Sequence, residues 1–507
     1  MRNTFLTLLM TVASTLLAQT GDARTDAASL TIYNQNFAVV RQTLPLDLKA
    51  GVNHVLYSNI TAHVEPDSVV LRDLRGGRLQ ILEQNYRNDP ISDGLLLSLF
   101  EGKTIDFIRG TDPQGKPIIV QGRIIRSGYV PHYQAYSAYG QQYMQQQMSM
   151  ASGGAGQPVI EVDGKLQFSL PGQPLFPTLG DDTILKPTLD WQLHAGSTGH
   201  TTAELSYVSG GMSWHADYNI VAPESGDVAD VVGWVTLDNQ SGKTFDNARI
   251  KLMAGDVSKI QPGFSNTNGA VYAGLARADA LGPQVTEKTF DEYHLYTLER
   301  ATTLRDRETK QVEFLRAAAV HANRIYVYDG LRVDQQYRNW PMESIRENAN
   351  YGTASNPKVW VMLEFKNSKE NNLGMPLPAG RVRFYRRDQD GQLEFTGEDR
   401  IAHTPSNEMV RFYTGNAFDV VGERRRTYFA NNSSQRWWDE SFEIKVRNHK
   451  TTQVEVRVVE HLYRWSTWDI TKKSDEFKKT DAQTVEYRVT IPPDGEKVVN
   501  YTVHYTW

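Results

Sequence analysis

The residues best placed to do chemistry in this 507-residue chain are histidines beside carboxylates or glycines. His215 and Asp217 stand two apart in SWHADY, so a strand puts both on one face, where the carboxylate could orient the ring for acid–base work. Strand alternation brings them together whatever their purpose, and that plainer reading is preferred. His194 and His200 lie six residues apart across Gly196 and Gly199. Joined by a carboxylate they could ligate a metal; as solvated loop histidines, the preferred reading, they do nothing of the kind. Arg424, Arg425 and Arg426 run eleven residues ahead of Trp437 and Trp438. Guanidinium and indole together can hold sugars or anionic polymers by stacking and ion pairing. The favoured alternative is an exposed hairpin whose Trp pair folds back onto its sheet.

Much chemistry is absent. The chain has no Cys, which removes thiol nucleophiles and cysteine zinc sites. No glycine-rich dinucleotide fingerprint, phosphate loop, HExxH or GxSxG occurs. Carboxylates are too many and too scattered for spacing to nominate a glycosidase pair. Accordingly no residue is assigned a catalytic, cofactor-binding or metal-binding role, and no cofactor is expected. A formal charge of −5 on so long a chain gives no reason to expect nucleic acid as a partner.

The elements that must position these residues read as strands. Apolar residues recur with period two from Ser29 onward, punctuated by Gly, Asn, Asp and Pro. In QVEVRVV, Val454, Val456 and Val458 fall on one face and Gln453, Glu455 and Arg457 on a wet one. Gly210-Gly211 and the run Asn239 to Gly242 are expected as hairpin turns, with Trp214, Ala216 and Tyr218 on a common apolar face. One helix stands out after the N-terminus, Ile91 to Glu101, with Asp93 as its cap. Residues 266–284 read as a loop with a weak Ala-rich turn. The expected class is mainly β: a multi-domain antiparallel β-sandwich architecture with few short helices. The closing alternation Val499, Tyr501, Val503, Tyr505, Trp507 resembles the last strand of an outer-membrane barrel, but frequent charges within the strands favour a sandwich.

Met1-Arg2-Asn3 followed by the apolar run Phe5 to Ala18 reads as a secretory signal, cleaved after Ala18 or Ala23. The run is too short to span a bilayer. No transmembrane helix is expected after signal removal, and the expected location is periplasmic or secreted, in a Gram-negative bacterium. The expected organisation is a signal peptide at 1–23, an N-terminal β domain at 24–127, a flexible Gln/Tyr/Met-rich insertion at 128–158, and a large β-sandwich region of two sub-domains at 159–507.

Several stretches carry a family resemblance, YHLYTLERATTLRDRETKQVEF among them. SLTIYNQNFAVVRQTLPLDL, SYVSGGMSWHADYNIV with NARIKLMAGDV, and EVRVVEHLYRWSTWDI resemble bacterial proteins with domain of unknown function 4139 (DUF4139), over about residues 29–507. The resemblance implies an exported β-rich protein with a small N-terminal β region ahead of a larger domain. It implies no reaction and no catalytic residues. Relatives with a long coiled coil between the two parts differ from this chain, which has the Gln/Tyr-rich insertion in that interval. The expected function is non-catalytic binding or an envelope-associated structural role, with an envelope protein or glycan as partner. The alternatives are a hydrolase of an envelope polymer and an outer-membrane β-barrel.

Overall fold

The computed structural model describes residues 27–88, 92–129, 157–177, 186–224, 226–255, 257–259, 285–290, 292–333 and 340–507. The run expected as a signal peptide, nearly all of the 128–158 insertion and the loop at 266–284 lie outside the described residues. Among those described, 63% lie in strands and 4% in helix, so the protein is mainly β. Period-two patterning is the cause. Strand Trp437–Asn448 buries every second residue, and Gly495–Thr506 sends Val499, Tyr501, Val503 and Tyr505 into the same core.

The helix anticipated from the sequence forms at Asp93–Leu99. Its cap is Ser92 and not Asp93: the Leu95 amide donates to the Ser92 hydroxyl at 3.2 Å. Ser92 holds an extended backbone, as a capping residue must, while Asp93 already lies within the first turn.

The strands form an eight-stranded, a three-stranded, two five-stranded and a nine-stranded sheet. In the eight-stranded sheet Ser29–Tyr33 runs parallel to Phe245–Ala254, and Phe37–Leu48 pairs antiparallel with Gly199–Gly210. Thr188–Ala195 lies between Gly51–Tyr57 and Leu79–Arg87 in the three-stranded sheet. These ladders run across the division expected at residue 127. The strands from Thr104–Thr111 to Gln173–Leu175 make a five-stranded sheet of their own. Beneath it sits a separate small core of Leu97, Ile105, Phe107, Ile124, Ile160 and Val162.

The two glycine-rich segments expected as hairpin turns are corners at which the chain changes sheets. Gly199–Gly210 belongs to the eight-stranded sheet, whereas Met212–Ala222 joins Val228–Asn239 in the other five-stranded sheet, called central below. Between them Gly211 has φ +80°, and a Cβ there would come within 2.8 Å of the Gln240 carbonyl oxygen. Only glycine fits. At the second corner the buried Asn239 donates to the Lys243 and Arg305 carbonyls at 2.8 and 3.0 Å and accepts from the Ser241 hydroxyl. Trp214, Ala216 and Tyr218 are buried together, as alternation requires.

Two large cores result. One lies under the eight-stranded, three-stranded and central sheets; the other lies inside the nine-stranded sheet. That sheet curls strongly: Tyr487 and Tyr501, from strands near its opposite ends, stack with ring centroids 6.0 Å apart. Its outermost strands, Trp468–Lys473 and Phe477–Lys479, are not hydrogen-bonded to each other. Two strands serve both cores. Lys358–Lys366 sends Val359 into the C-terminal core and Phe365 into the other. Met409–Asn432 does the same with Val420 and Phe412. Among the described residues no helix is long and apolar enough to cross a membrane.

Candidate functional site

Where those shared strands pass from one core to the other, the sheets leave a cavity of about 200 Å³. Its position follows from irregular pairing. The ladder between Lys358–Lys366 and Met409–Asn432 shifts register at Val361/Met362, and that between Gly380–Arg387 and Leu393–Ile401 shifts at Phe384/Tyr385. Bulges bend strands and interrupt flat packing. The floor is apolar, with Ile220, Val361, Leu363 and Phe384. Arg324 and Arg386 bring two positive charges to it, and Thr396, Thr414 and Asn416 bring polar groups. Arg386 is anchored: its Nη1 donates to the Pro223 and Glu224 carbonyls at 2.9 and 2.8 Å. Burial, then the neighbouring Arg324 charge, lowers the Arg386 pKa below the usual arginine value.

The histidines of the sequence analysis lie elsewhere. His215 Nε2 is 3.2 Å from Asp217 Oδ2, on the outward face of the central sheet. Asp217 also accepts from the Thr236 hydroxyl at 2.9 Å, and Gln311 donates to that hydroxyl at 3.1 Å. The result is a cross-strand polar chain on an open surface. His194 and His200 fall on different sheets. His200 pairs with Asp47 at 2.9 Å, and among the described residues no group of three His, Asp or Glu could hold a metal.

The arginine triplet is split by alternation. Arg425 is exposed and pairs with Glu443, whereas Arg424 and Arg426 turn inward. Trp438 is fully buried, while Trp437 is half-buried. Inside the nine-stranded sheet Arg424 Nε lies 2.9 Å from both Glu460 oxygens, and the Tyr501 hydroxyl donates to Glu460 at 2.5 Å. Glu440 accepts two hydrogen bonds from Arg464, each 2.9 Å, and one from Arg426 at 3.1 Å. The same three guanidiniums donate to main-chain carbonyls of Ile345, Asn348, Ala349, Tyr351 and Gly352, holding that segment against the cluster. Burial opposes the Arg424 charge, but Glu460 and Tyr501 outweigh it and raise its pKa. The adjoining space, about 20 Å³, has room for about one water. Glu460 already accepts from Arg424 and Tyr501, and Glu440 from Arg426 and Arg464, so the cluster is a clamp.

Arg324, Arg386, Glu440, Glu460 and Arg464 are not singled out by any motif or spacing in the sequence. For the two glutamates strand parity alone gives a signal. Glu460 continues the buried parity of Val454, Val456 and Val458, and Glu440 falls between Trp438 and Phe442. A charge on the apolar parity of a strand announces a buried partner. Arg457, expected on the wet face, is itself buried and pairs with Glu364 at 3.1 Å. Nothing in spacing brings Arg324 to Arg386. No family model matches the chain, and no curated protein matches it.

Proposed function

We propose that this chain is an exported protein of the DUF4139 type that acts in the cell envelope by non-catalytic recognition of an envelope protein or glycan. The observation that carries this reading is the make-up of the cavity between the two cores. It offers an apolar floor, two guanidiniums, hydroxyls and an amide, which are groups for holding a ligand. The His215–Asp217 pair lies outside it on an open sheet face, and Glu440 and Glu460 are locked in the buried clamp. The wide sheets add edges and faces that can receive an extended partner.

The test is crosslinking in intact cells followed by recovery of the tagged mature chain from the envelope fraction. A reproducible stoichiometric protein or glycan partner is expected, with a mature N-terminus after Ala18 or Ala23. Release of soluble fragments from purified cell wall by the protein alone would overturn the reading in favour of a hydrolase.

A further inference from the structure

We propose that the cavity between the two cores binds a small anion, a carboxylate or phosphate group carried on a compact apolar body, clasped by Arg324 and Arg386. This deepens the binding reading above and rests on it. Neither guanidinium has a carboxylate partner among the described residues, whereas about half of the other described arginines do. Two like charges facing one concavity repel each other, and the Arg386 pKa is lowered by burial first and by the Arg324 charge second. The arrangement is relieved by a counter-charge that the described residues do not supply.

Arg386 is suited to the task because its Nη1 is tied to two carbonyls, which fixes the plane of the guanidinium. Its other nitrogens make no hydrogen bond within the described chain and remain available to a planar or tetrahedral oxyanion. Arg324 is exposed and can close over the anion from the rim. Thr414 and Thr396 give their hydroxyl protons to the Val361 and Phe384 carbonyls, so the donors that face the anion are the guanidiniums. Size sets the upper limit. A volume of about 200 Å³ is below the roughly 300–1,000 Å³ of drug-sized pockets and equals about seven waters. A benzoate-sized group fits that space, so of a protein or glycan partner the cavity holds one anionic side or end group and not the polymer itself.

The test is calorimetric titration of the full mature chain with benzoate, phenyl phosphate, benzamide and inorganic phosphate. Saturable binding of benzoate or phenyl phosphate at about one equivalent is expected, weakened at least tenfold for neutral benzamide and in high salt. The stronger of the two anions identifies carboxylate or phosphate as the natural group, and tighter binding than inorganic phosphate confirms the apolar body. Arg324→Gln, at an exposed position that the fold tolerates, is expected to weaken the anion about tenfold, and Arg386→Lys likewise. Equal affinity for benzamide, an unchanged Arg324→Gln titration, or no saturable binding of either anion overturns the proposal. In those cases a partner still recovered from the envelope leaves the broader binding reading standing, and loss of both removes both.

Discussion

Arg424 and Glu460 have side chains 2% and 0% exposed, so removing one partner strands an ion where water cannot reach it. Breaking such a pair costs about 3–5 kcal/mol, while replacing both partners by apolar groups is often neutral. Glu460→Gln is therefore expected to lower unfolding stability by about 3 kcal/mol in denaturant titration, and Arg424→Met/Glu460→Leu by clearly less. Additive losses would refute the clamp. His461 provides the pH dependence. Burial opposes its charge, but a 2.8 Å contact to Asp329 and the charges of Asp329, Glu460 and Asp481 raise its pKa above the ordinary value. A histidine held higher in the folded than in the unfolded state contributes fully below the unfolded value and loses that contribution as pH rises through the folded one. His461→Gln should therefore destabilise the protein more at about pH 5 than at about pH 9. An equal cost at both would show that the pair carries no proton linkage.

Among the elements, Leu79–Arg87 and Thr188–Ala195 behave as the two arms of a hairpin whose connection has been expanded. Their ladder ends at Arg87 opposite Thr188. The intervening chain contains the small five-stranded sheet, whose core shares no residue with the two large ones. Insertions of this kind enter where two strand ends already lie together. Replacing residues 88–187 by an Asn-Gly turn should leave the remaining sheets folded, because a two-residue turn of that type matches the twist of an antiparallel pair. Near-UV circular dichroism like that of the parent is the expected outcome; an insoluble or molten product would show that the small sheet props up the rest. Corners teach the complementary lesson. The same glycine signals that mark a hairpin also permit a change of sheet, and at Gly211 the Gln240 carbonyl leaves no room for a Cβ.

Over the whole molecule, two cores are stitched by strands long enough to enter both, and the candidate site opens where the stitching is irregular. Strand Met409–Asn432 supplies Phe412 to one core and Val420 to the other, with Thr414, Gly415 and Asn416 at the cavity between. The mainly β class, the helix at Asp93–Leu99 and the inward parity of Val454, Val456, Val458, Tyr501 and Tyr505 were legible in the sequence, because each depends on neighbours one or two residues away. Which strand lies beside which was not legible. Ser29–Tyr33 pairs parallel with Phe245–Ala254, more than two hundred residues on, and no local pattern encodes that choice. The separation of His194 from His200, the joining of Arg424 to Glu460 and the meeting of Arg324 with Arg386 all follow from such long-range pairing. Side-chain alternation is a property of the backbone pleat and travels with the chain. The company a side chain keeps is decided only when distant ribbons pack, since burial rewards their total fit and not any single segment.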